Sequence, residues 1–151
     1  MPVTKRGGAW KGAPMRLLWN PLLSTLYESA PLVVGVLIMT ASGSIYLTPA
    51  YSSALQTALG FSNTDIAAVS TAVNAGTWLA VLPGFFFDRF GPKPTLLIGV
   101  FMLTLGYLLM ACAAAGYINV NLTGAVFFAF LYGHGSSWAQ TAASVSNAVN
   151  A

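Results

Sequence analysis

GFFFDRFGPKPTLLIG, residues 84–99, puts Asp88, Arg89 and Lys93 close together between two long apolar runs. The chain of 151 residues has only six Lys or Arg and three Asp or Glu, so a third of its charge sits in this short stretch. A turn between two membrane spans needs polarity and a helix break. Gly91, Pro92 and Pro94 supply the break, because glycine accepts left-handed backbone and proline has no N–H to donate. Arg89 and Lys93 supply positive charge that sets orientation.

The rest of the composition agrees with a membrane turn. Only 6% of residues are charged and 56% are hydrophobic. A soluble domain carries about 25% charged residues, and this chain has too few to wet a folded surface, so lipid must cover most of it. From Pro94 to Ala151 there is no Asp, Glu, Lys or Arg. A helix crosses a bilayer with about 20 apolar residues, so this tract alone is long enough for two crossings. The single Cys112 excludes an internal disulfide and reads as small packing in an apolar run. The net charge of +3 comes mostly from the first sixteen residues, with no basic stripe interleaved with aromatics, so no nucleic-acid partner is expected. MPVTKRGGAWKGAPMR is basic, but the apolar segment after it is too long for a signal peptide; a transit peptide stays open on a weak signal, because the segment has no acid before Glu28 yet is not Ser-rich.

The sequence predicts an all-α membrane protein with four spans, at about 31–55, 66–87, 94–116 and 122–145, after a basic segment at 1–29. Gly43 and Pro49 interrupt the first span. Ser62, Asn63 or Thr64 can cap the second, with Asp65 at the positive end of its dipole. Pro94 fits the first turn of the third. Leu17–Tyr27 reads as a short surface helix, with Trp19 as an interface anchor. Lys5, Arg6, Lys11 and Arg16 precede span one, Arg89 and Lys93 separate spans two and three, and the loops at Gly60–Asp65 and Tyr117–Asn121 have no basic residue. All six therefore fall on one side of a hairpin array, which predicts both termini on the cytoplasmic side. Asn121 begins an NLT sequon, but its short loop lies against the membrane and no modification is expected.

In span two, Ala68, Ala72, Gly76, Ala80 and Gly84 recur every fourth residue. This spacing lets a second helix approach closely. Gly135, Ala139 and Ala143 repeat it in span four. No nucleophile triad, carboxylate pair or phosphate loop appears, and His134 has no second His or Cys to share a metal, so neither an enzyme nor a cofactor is expected. His134 lies inside span four. An ionisable residue there is costly to bury and is a functional candidate, set against the bland alternative of a neutral ring bonded to a neighbouring helix. Tyr46, Tyr51 and Gln140 are further polar candidates, set against ordinary interhelical hydrogen bonds.

The spacing Gly84, Asp88-Arg89, Gly91, Lys93 resembles the loop signature of the major facilitator superfamily, found there between the second and third membrane helices. Pro94 stands where a second basic residue is usual. YLTPAYSSALQTALGFSNTDI, LPGFFFDRFGPKPTLLIG and GHGSSWAQTAASVSNAVN together resemble the nodulin-like branch of that superfamily. The resemblance implies that residues 30–151 are a nodulin-like transmembrane domain, and that Gly84, Asp88, Arg89, Gly91 and Lys93 act as a conformational latch. Gly84 would admit a helix of the other transporter half, Asp88 would pair with positive charge or a helix N-terminus, and Arg89 and Lys93 would hold neighbouring cytoplasmic ends. It implies transport of a small solute by alternating access, along a path lined by Tyr46, Tyr51, His134 and Gln140. Because such transporters have two six-helix halves, it also implies that these four spans are the N-terminal portion of a longer fold, whose partners are the lipid bilayer, the C-terminal half and the solute. The alternative is a four-span structural subunit that packs into a larger membrane complex through its small-residue stripes.

Overall fold

The computed structural model describes the backbone of residues 21–150 and the side chains of residues 29–148. The expected anchors Lys5, Arg6, Lys11, Arg16 and Trp19 lie outside the described residues. Among the described residues six α-helices follow in order: α1 Pro21–Ser42, α2 Thr48–Leu59, α3 Asn63–Trp78, α4 Val81–Phe90, α5 Pro92–Ala114 and α6 Leu122–Asn150. A 3-10 turn, Gly43–Leu47, joins α1 to α2. There is no strand among the described residues.

These helices make four passes. Ser29–Leu59, Asn63–Phe90 and Pro92–Ala114 are each long and apolar enough to cross a membrane. α6 has 29 residues, about 43 Å of helix, but polar residues dilute its apolarity. It tolerates them because it packs against α1, α3 and α5, and its His134, Ser136 and Ser137 face those helices. Leu32, Leu37, Phe85, Leu97 and Phe101 face outward, as a lipid-covered surface requires.

The first pass differs from the sequence reading. α1 begins at Pro21 and carries Pro31 inside it, so residues 21–27 continue into the span rather than form a separate surface helix. The second pass also differs, because it is two helices. Pro83 has no N–H and crowds the carbonyl four residues earlier, at Leu79. The helix breaks there, with α3 ending at Trp78 and α4 starting at Val81.

The turns have clear local causes. Gly60 caps α2 in the left-handed conformation, φ 66°. Ser62 caps α3, receiving the Asp65 N–H at 3.2 Å while the Asp65 carboxylate accepts the Ser62 N–H at 2.9 Å. This reciprocal box settles which of the three candidates is the cap. The Oδ1 of Asn121 accepts the Gly124 N–H at 2.9 Å and so caps α6.

α1 and α5 run antiparallel to α6, and α3 runs parallel to it. Ser42 meets Ser136 while Gly35 lies by Asn147, and Gly99 meets Gly135 and Ala139 while Gly106 meets Tyr132. Alternating spans in this sense are what a four-span hairpin array requires. The helix contacts are close: a Cβ added at Gly99 would lie 2.6 Å from the Ala139 nitrogen, and one at Gly106 would lie 2.6 Å from the Tyr132 nitrogen. In lipid, where apolar contact brings no hydrophobic gain, such backbone approach drives helix association.

Candidate functional site

Both broken passes meet the polar stretch of α6. Where α1 gives way to the 3-10 turn, the Ser136 hydroxyl donates to the Ser42 carbonyl at 2.8 Å, and both residues are fully buried. The Gln140 amide donates to the Ser136 oxygen at 3.2 Å. Across α6, a nitrogen of His134 lies 3.0 Å from the Gly76 carbonyl of α3.

The His134 ring has no nitrogen to spare. The Trp138 indole N–H donates to Nε2 at 2.9 Å. An indole nitrogen can only donate, so Nε2 accepts and Nδ1 must carry the proton that it gives to Gly76. Phe130 stacks on the ring at 5.7 Å, and Phe86 of α4 packs on Trp138 at 5.1 Å. The ring is thus locked between two passes. A Cβ at Gly76 would fall 2.7 Å from the His134 backbone nitrogen, which is why glycine stands there.

A second cluster lies on the N-terminal side of that stretch of α6. Tyr132 is fully buried and stacks on Tyr107 of α5, 4.4 Å between centroids and 9° from parallel. The Tyr132 hydroxyl is 3.4 Å from that of Tyr51, which lies 3.1 Å from the Thr48 hydroxyl. Tyr107 reaches Ser44 at 3.0 Å. The hydroxyls therefore tie α2 and the 3-10 turn to α5 and α6. A cavity of about 370 Å³ lies beside them, walled by Ala54, Leu55, Ala58 and Met110.

Of the four pathway candidates, Tyr51 lies by Tyr132, His134 reaches Gly76 of α3, and Gln140 bonds Ser136 on its own helix. Tyr46 stands apart, 73% exposed on the outside of the 3-10 turn. Sequence reading missed Tyr107, Tyr132, Ser44 and Ser136. Their signal was a hydroxyl inside an apolar span, which on its own reads as ordinary core.

The charged turn is tighter than its sequence implies. Gly91 alone, φ 82°, separates α4 from α5. Its N–H donates to Phe87 at 2.8 Å, and the buried Thr95 hydroxyl donates to its carbonyl at 2.7 Å. Pro92 and Pro94 both fall in the first turn of α5, so the third pass begins two residues before the expected Pro94. Asp88, Arg89 and Lys93 are exposed. Arg89 lies over the Phe90 ring at 5.8 Å, and among the described residues none of the three forms an ion pair. Gly84 faces open space. The every-fourth stripe is divided: Ala72 and Gly76 are buried and Ala68 is half-buried, while beyond the break Ala80 is exposed and a Cβ at the half-buried Gly84 would meet nothing within 4 Å.

The family model described as Nodulin-like matches residues 30–150. The chain belongs to the Nodulin-like family. Nodulin-like proteins are transporters of the major facilitator type, so this chain has a membrane-transporter-type role and is an integral, multi-pass membrane protein. No curated protein and no solved structure matches it.

Proposed function

We propose that this chain forms part of a secondary transporter that moves a small solute by alternating access. The observation that carries the reading is the convergence of two interrupted spans on one polar helix. Irregular backbone at membrane depth persists only where protein buries it or water reaches it. Here the break after Ser42 and the break after Trp78 both face the His134–Gln140 stretch of α6. Solute sites of secondary transporters are typically built from such discontinuous helices near the midplane. On this reading Tyr51 and Gln140 line the path, while His134 holds α3 against α6.

The charged turn supplies the conformational device. Asp88, Arg89 and Lys93 project from the α4–α5 turn unpaired among the described residues, and Gly84 offers an open helix face. Exposed like this, the three charges are free to engage other helix ends in one state and release them in the next. Both ends of the four-span array then lie on the cytoplasmic side with the turn, as the Lys and Arg placement requires.

Uptake of labelled solutes into membrane vesicles carrying the complete transporter of which this chain forms part tests this. Saturable uptake of at least one solute is expected, and Asp88→Asn slows it at equal membrane abundance. Equal rates in the two proteins would reduce the turn to a topological element.

A further inference from the structure

A notch of about 320 Å³ opens between the second pass and α6. Thr77 and Ala80 border it where Pro83 breaks the helix, and Ser137, Gln140, Thr141 and Ser144 border it from α6. Among the described residues, no charged side chain lines it. The Ser137 hydroxyl is the key feature. The residue is 5% exposed, and among the described residues its Oγ has no hydrogen-bond partner. A buried polar atom left unpaired costs about 1–3 kcal/mol. Ser137 borders the notch, so a rotation of its covered hydroxyl toward the notch would give that atom a ligand group as its partner.

The remaining lining tells what kind of group. Thr77, Thr141 and Ser144 each give their one hydroxyl proton to a carbonyl of their own helix, those of Asn74, Ser137 and Gln140, at 2.7, 2.9 and 2.7 Å. Their oxygens face the notch with only acceptor capacity. Gln140 uses one N–H on Ser136 and keeps its carbonyl oxygen and second N–H. The notch is thus rich in acceptors and poor in donors. An anion finds no cation and few donors here, and a cation finds no carboxylate to offset its lost hydration. The volume equals roughly ten waters, enough for a molecule of about that many heavy atoms.

We infer that this notch binds an uncharged, hydroxyl-rich solute of polyol type. The inference deepens the transport reading by naming its solute class, and it rests on that reading only for the step from binding to carriage.

The test is equilibrium binding to the purified protein in lipid nanodiscs. The probes are mannitol and glucose, compared with gluconate and glucosamine as charged molecules of similar size. Saturable binding of a neutral probe is expected, with the charged pair much weaker. Ser137→Ala and Gln140→Leu should each weaken it about tenfold, the loss of one good hydrogen bond. If Gln140→Leu fails to fold, Ser137→Ala decides, because it removes only an unpartnered hydroxyl. No saturable binding of either neutral probe, equal binding of a charged probe, or wild-type affinity in folded Ser137→Ala overturns the inference. Carriage of a charged solute would also overturn it while leaving the transport reading intact. Mannitol binding with no flux of any solute by the complete transporter would do the reverse.

Discussion

The Ser136 hydroxyl of α6 donates to the main-chain carbonyl of Ser42, 94 residues earlier, at 2.8 Å. It does so where α1 changes to a 3-10 turn, a point at which the carbonyl ladder loses its regular register. Both residues are shielded from water and lipid headgroups, so the bond has no replacement partner. Ser136→Ala is expected to lower stability by about 0.6 to 2 kcal/mol, the range of interhelical hydrogen bonds in membranes. Thermal unfolding in detergent or nanodiscs measures it, and an unchanged midpoint would show that the α1 break holds without α6.

Two glycines of the same small-residue stripe should respond with opposite signs. A Cβ at Gly76 would lie 2.6 Å from the Phe130 carbonyl oxygen, which belongs to helix backbone and cannot swing aside. Gly76→Ala should therefore cost about 1–3 kcal/mol, as overpacking does. A Cβ at Gly84 meets nothing within 4 Å, and alanine is the better helix former by about 0.5–1 kcal/mol. Gly84→Ala should leave the isolated chain as stable or more so, and still slow transport if that face engages another helix.

The indole N–H of Trp138 fixes the tautomer of His134. Nitrogen-15 NMR of the ring should show Nδ1 protonated and Nε2 unprotonated. Trp138→Phe removes the donor and should release this preference. The opposite tautomer in the wild-type protein would mean that the Gly76 carbonyl is not its partner and that the ring is free for solute.

Much of this arrangement was legible in the residues. Apolar run length and the scarcity of charge point to helical spans, and FDRFGPKPT carries its own turn, because Gly91 takes the one left-handed position and Pro92 can start a helix. The break in the second pass was equally written, in Pro83, but the apolar run around it reads as unbroken when hydropathy alone is followed. The regular spacing of Ala68 to Gly84 then suggests one continuous packing face, which the break divides. The Tyr51–Tyr132–Tyr107 cluster was not legible. Its members lie on three helices, and each tyrosine by itself is indistinguishable from core until the packing brings the hydroxyls together. Ser137 was hidden for the opposite reason: what marks it is a missing partner, which only three-dimensional placement reveals.

On the proposed function, the polar stretch of α6 borders a path that water and solute enter. Cysteine accessibility reads this directly. In a Cys112→Ser background, Gln140→Cys sits on the notch, whereas Phe101→Cys sits on the outward face of α5, 66% exposed in the native residue. A thiol reacts with a membrane-impermeant reagent only as a hydrated thiolate. Gln140→Cys should be modified from the aqueous phase, mannitol should slow the reaction, and Phe101→Cys should stay unmodified in lipid. Equal protection of both cysteines would contradict it and leave α6 as a structural helix buried away from any path.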